Sequence, residues 1–82
     1  GAAVARELIL VKVAADSQTR PEIMQICDIF RAKVIDVSAR SVVLEITGND
    51  SKIKAFLDLV KPFGVKKMAR TGVVALERGA QS

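Results

Sequence analysis

The chain has 82 residues, 13 Lys and Arg against 9 Asp and Glu for a net charge of +4, one cysteine and no histidine. The missing histidine excludes imidazole bases, Cys/His and Ser/His nucleophile pairs and most transition-metal sites, and the lone Cys27 excludes an internal disulfide and suits a reducing compartment. So short a chain builds one small core, burying on the order of 60% of its unfolded surface, and no apolar run approaches the ~20 residues of a membrane span. A soluble, non-catalytic domain is expected, with no catalytic, cofactor-binding or metal-ligating residues.

Gly1 to Ala5 has no basic flank, apolar block or cleavage site; it reads as a cloning scar or the end of a linker, outside the fold. Glu7 to Ala14 is rich in aliphatic and β-branched residues and is too short for a helix, which predicts a buried first strand. Asp16 to Thr19 supplies turn chemistry. Thr19 and Glu22 have the spacing of a capping box, and Pro21 falls in the first turn, where a missing N–H costs nothing. Ile23, Ile26, Cys27 and Phe30 then follow at i, i+3, i+4 and i+7, one apolar face of a helix, with Glu22, Gln25 and Asp28 pointing away.

Lys33 to Val37 and Val42 to Thr47 are two further β-rich runs, and the four residues between them suit an antiparallel hairpin. Asn49 or Asp50 can cap a second helix, in which Ile53, Phe56, Leu57 and Val60 repeat the apolar stripe. Pro62-Phe-Gly64 ends it, with Gly64 free to take a left-handed backbone. Val65 to Thr71 is the last strand, and Gly72 to Gly79 carries no assigned element. The order is two β-α-β halves. They predict an α+β, ferredoxin-like βαββαβ fold: a four-stranded antiparallel sheet with two helices on one face.

With helices on one side only, strand alternation reports what the other side meets. Leu8 and Leu10 share one face of the first strand while Ile9, Val11 and Val13 share the other, so both faces are apolar. A central position in the sheet accounts for this, and so does association through the open face, which makes a homodimer the expected state. The second and third strands read as half-wet edges, with Ile35 and Val37 opposed to Val34, Asp36 and Ser38, and Val42, Leu44 and Ile46 opposed to Val43, Glu45 and Thr47.

Nucleic acid is not an expected partner. Sheet-face RNA readers of this topology stack bases on aromatic side chains, and here Phe30 and Phe56 belong to the helix stripes while Phe63 sits in a turn. Lys52, Lys54, Lys61, Lys66, Lys67 and Arg70 stand against Asp58 alone; a solvated face and a guarded edge strand explain this run better than a docking patch for an acidic partner does. A glycine directly after a strand, as in Arg70-Thr71-Gly72, marks a bulge or a close backbone approach. Cys27 on an apolar stripe reads as a small core residue.

Several strings then act together: Arg6-Glu-Leu-Ile-Leu-Val-Lys-Val13, Ile29-Phe-Arg-Ala32 followed by Val34-Ile-Asp-Val37, Thr47-Gly48 with Lys52-Ile53, and Arg70-Thr-Gly72 running to Ala75-Leu-Glu-Arg-Gly79. In this order and spacing the chain resembles the C-terminal domain of acetolactate synthase small subunits, over residues 6–79, with 80–82 as a tail. The resemblance implies an ACT-like regulatory-subunit domain without a cofactor of its own. It also implies a partner, the thiamine-diphosphate-dependent catalytic subunit, which the small subunit activates and places under branched-chain amino acid feedback, usually by valine. The implied location is the bacterial cytoplasm or the plastid stroma.

The resemblance also implies an ACT domain that carries the effector site, which these 82 residues do not include, and the loop from Asp16 to Pro21 has no glycine to let an amino acid approach the backbone. Partner binding is therefore expected without tight valine binding, with Leu8, Leu10, Arg70, Thr71 and Gly72 as the candidate interface. The alternative is a ferredoxin-like small-molecule sensor domain of a transcription regulator.

Overall fold

The computed structural model describes residues 3–79; the first two residues of the leading segment and the 80–82 tail lie outside them. Along the chain run β1 (Ala3–Ala14), α1 (Arg20–Phe30), β2 (Lys33–Val37), β3 (Ser41–Gly48), α2 (Asp50–Val60), a single 3-10 turn (Lys61–Phe63), β4 (Val65–Arg70) and β5 (Val74–Glu77). The antiparallel sheet has the order β2-β3-β1-β4, with β5 added on β1. This is the expected ferredoxin-like α+β arrangement plus one strand.

The core forms between one sheet face and the two helices. Ile9, Val11 and Val13 of β1 and Val42, Leu44 and Ile46 of β3 meet Ile23 and Cys27 of α1 and Ile53, Phe56 and Val60 of α2, all buried. Ile26, Phe30 and Leu57 flank them, partly buried, so both predicted stripes face the sheet. The rings of Phe30 and Phe56 meet edge to face at 5.6 Å between centroids, a geometry that adds about 0.5–1.5 kcal/mol to the area buried. Burying an aliphatic or Phe side chain of this kind stabilises by about 1.5–3 kcal/mol, and these residues carry most of the fold.

Asn49 caps α2, its Oδ1 accepting from the Lys52 N–H at 2.9 Å. Gly64 takes φ +107° after the 3-10 turn, where a β-carbon would be strained. At α1 the capping box does not form. Thr19 occupies the N-cap position without a side-chain cap bond, because Asp16 reaches the turn first. Its Oδ1 accepts from the N–H groups of Gln18 at 2.8 Å and Thr19 at 2.9 Å, and the Thr19 hydroxyl turns back to accept from the Asp16 N–H at 3.0 Å.

Four further expectations are corrected. Ala3 to Ala5, set aside as scar or linker, are the first residues of β1 and pair with Glu77, Leu76 and Ala75. The segment without an assigned element, Gly72 to Gly79, contains β5. In sheet order β3 is an interior strand, and the edges are β2 and β4. Finally β2 carries a bulge: Val34 pairs with Leu44, Asp36 with Val43 and Val37 with Val42. One extra residue there puts Val34 and Val37 on the same face, against the expected grouping of Ile35 with Val37.

Candidate protein-interaction surface

β1 is the axis of the sheet. Directly paired residues share a face, so the pairings of β1 with its three neighbours map the surface opposite the helices. Leu8 lies beside Thr47; Leu10 lies between Glu45 and Ala69; Lys12 lies between Val43 and Lys67. Leu10 is 37% exposed, and Leu8, Lys12 and Val43 are half-buried by their neighbours. An apolar strip bordered by Lys12, Lys67 and Glu45 therefore runs along the open face.

The strip continues onto an element that the sequence reading missed. Arg6 pairs with Val74 and Val4 with Leu76, and these even-numbered β1 residues lie on the Leu8–Leu10 side of the strand. Ala3 to Arg6 and β5 make a two-stranded ribbon beyond the helix layer, in a molecule that measures 50 × 21 × 18 Å. Val74 is 67% and Leu76 80% exposed. The available signals were the run Val73-Val74-Ala75-Leu76 after Gly72, and the unbroken extension of the first strand back through Val4.

The ribbon is fastened where Arg70, Thr71 and Gly72 meet β1. Arg70 pairs with Ile9 and so points to the helix side, where its Nε donates to Glu7 Oε1 at 3.2 Å and its Nη2 makes a second bond to the same oxygen. The Gly72 N–H donates to Glu7 Oε2 at 3.1 Å. Thr71 bonds the Leu8 backbone with both its own backbone and its side chain: its N–H donates to the Leu8 carbonyl at 3.1 Å, and its hydroxyl accepts from the Leu8 N–H at 3.1 Å. Gly72 turns the chain at φ +83°, the break between β4 and β5. The hydrogen bond from Arg70 holds the Glu7 carboxyl below its ordinary pKa, against a smaller upward effect of desolvation, and the same bond raises Arg70.

The five candidate residues are thus neighbours with two roles. Leu8 and Leu10 face the open strip, whereas Arg70, Thr71 and Gly72 hold the ribbon on the sheet. The basic run does not gather on one surface. The Lys52 ammonium donates to the Thr47 carbonyl at 3.0 Å, its stem occupying the space where a β-carbon on Gly48 would collide with it; Lys67 is on the open face beside Lys12. Cys27 is 2% exposed, and burial pushes its thiol up to about 11, which keeps it protonated and unreactive near neutral pH. Among the described residues no three His, Cys, Asp or Glu side chains come together to hold a metal ion, and no helix is long and apolar enough to cross a membrane.

The fold and this surface define a small α+β domain with two helices on one face of its sheet and an apolar strip on the other. The profile of the family described as "Small subunit of acetolactate synthase" matches residues 6–79, and the chain belongs to that family. It is 47% identical over 76 residues to a probable acetolactate synthase small subunit of Archaeoglobus fulgidus, covering 93% of this chain and 48% of that protein. To the acetolactate synthase small subunit of Bacillus subtilis it is 50% identical over 78 residues, covering 95% and 45% respectively. The crystal structure of the acetolactate synthase small subunit from Thermotoga maritima superposes with a TM-score of 0.88 at 44% identity, over 96% of this chain and 48% of that one. The chain spans about half the length of the relatives it matches.

Proposed function

We propose that this domain is a non-catalytic, partner-binding part of an acetolactate synthase small subunit. Through protein contacts it supports activation and branched-chain amino acid feedback, by valine in the usual case, of a thiamine-diphosphate-dependent catalytic subunit. The observation that carries this reading is the apolar strip from Leu10 and Leu8 to Val4, Val74 and Leu76, crossed only by Arg6, on a chain of the small-subunit family. A two-stranded ribbon is marginally stable alone in water, and covering those side chains would remove a large apolar area from solvent.

The same strip supports self-association into a homodimer. The setting is the cytoplasm of a bacterium or, in a plant or alga, the plastid stroma. Membership in the small-subunit family weighs against the alternative of a transcription regulator's sensor domain. Co-purification of the catalytic subunit with the chain tests the proposal. Capture by the native chain, and its loss in Leu76→Asp with the fold intact by circular dichroism, is the expected result; equal capture by both would remove the strip from the interface.

A further inference from the structure

At the end of the molecule away from the ribbon, the C-terminal end of β1, the turn before α1, the β2–β3 hairpin and the 3-10 turn enclose an open cleft of about 510 Å³, within the ~300–1,000 Å³ range of small-ligand sites. Ala14, Ala15, Pro62 and Phe63 give it an apolar wall, and Arg40, Lys66 and Asp16 bring charge to it. Both cations are set there by the backbone. Arg40 lies in the hairpin turn, which its carbonyl ties to the end of β1 by accepting from the Ala15 N–H at 3.0 Å. Lys66 is the extra residue of a bulge, because β1 pairs Lys12 with Lys67 and then Val13 with Val65, and a bulge re-aims one side chain out of the strand's alternation.

Neither cation pairs with a carboxylate among the described residues, where the one ion pair is Arg70 with Glu7. Asp16 is committed on one side only. Oδ1 takes the bonds from Gln18, Thr19 and the Thr19 hydroxyl, while Oδ2 makes none among the described residues. Two cations and one carboxylate leave the cleft with a charge of +1, which matches a mono-anion better than a zwitterion. A carboxylate reaching Arg40 and Lys66 would leave a donor on its neighbouring carbon to meet Asp16 Oδ2, and a short aliphatic chain to cover Phe63.

We infer that this cleft binds a short-chain 2-hydroxycarboxylate, with Arg40 and Lys66 on the carboxylate and Asp16 on the hydroxyl. The site is separate from the apolar strip and does not depend on it.

The test titrates the isotopically labelled chain by NMR with three acids of one carbon skeleton: 2-hydroxy-3-methylbutanoate, 3-methylbutanoate and valine. Saturable shifts confined to Ala14–Thr19, Arg40 and Phe63–Lys66 are expected, tightest for the hydroxy acid. Arg40→Gln and Lys66→Gln should each weaken it about tenfold, the order of a lost charged hydrogen bond. Both positions are exposed, so the variants keep the fold, which the spectra report directly. Unsaturable shifts shared with sodium chloride, or binding that survives both substitutions, overturn the site. Equal or tighter binding of 3-methylbutanoate or valine overturns the hydroxy-acid assignment.

Discussion

The carboxylate of Glu7 reaches Arg70, 63 positions along the chain, and the N–H of Gly72, 65 positions along. One side chain on β1 thus joins the end of β4 to the start of the ribbon. Glu7→Gln should leave the core intact and speed amide hydrogen exchange at Arg6 and Val74. Unchanged exchange at those two residues would show that the backbone ladder alone holds the ribbon.

The same contact sets a pH dependence. Folding lowers the Glu7 pKa from 4.5, so the contribution of the pair is fully present above pH 4.5 and fades as the pH falls through the lower folded value. Asp16 is shifted in the same direction, chiefly by the backbone N–H of Thr19. Stability should therefore fall on acidification below pH 4.5, and the ribbon amides of Glu7→Gln should respond less than those of the native chain. Denaturant midpoints and exchange rates between pH 7 and 3 supply both readings.

Phe56 is fully buried and meets Phe30. Phe56→Ala should cost about 3–5 kcal/mol, the usual penalty of such a cavity, visible in the denaturant midpoint. A folded variant with an unchanged midpoint would contradict the core described above.

Asn49 caps α2 through the Lys52 N–H, whereas Thr19 makes no such bond. Asn49→Ala should destabilise by about 1 kcal/mol, and Thr19→Val by less, since Asp16 keeps its bonds to Gln18 and Thr19 N–H. Paired urea titrations distinguish the two positions.

Self-association through the open strip should appear in sedimentation equilibrium as a dimer. Leu10→Asp should shift it toward monomer, whereas Ile29→Asp, on an exposed helix position away from the strip, should not. A native chain that stays monomeric at high concentration removes the dimer from the proposed function.

Much of this was legible because it is local. The helix stripes, the hairpin, the Asn49 cap and the left-handed Gly64 each depend on residues within about two turns of one another, and period and turn chemistry report them. What escaped depends on distant or competing partners. Val4 gives no sign that its neighbour is Leu76, and a Gly after Arg70-Thr71 suits a chain that leaves the sheet as well as one that rejoins it. The bulges at Ile35 and Lys66 break alternation without changing composition. The Thr19 box had the right spacing, and lost to a carboxylate three residues earlier. Of the candidate interface, the exposure of Leu8 and Leu10 followed from alternation, but the bonds that divide their role from that of Arg70, Thr71 and Gly72 are all long-range.

Among the described residues β1 pairs with β3, β4 and β5, and no other strand pairs with more than two. Only β2 and β3 are close enough in sequence to zip up as a hairpin; every pairing of β1 must close a loop of tens of residues first, which costs entropy and time. The hairpin should therefore form early, β1 should dock on it when the helices collapse, and β4 should follow. Ala3–Arg6 and Val74–Glu77, which have the fewest neighbours, should close last and open first. Pulse-labelled exchange during refolding would then protect Val42 to Ile46 ahead of Val74 and Leu76, and the domain would reach a complete core before its outermost surface exists.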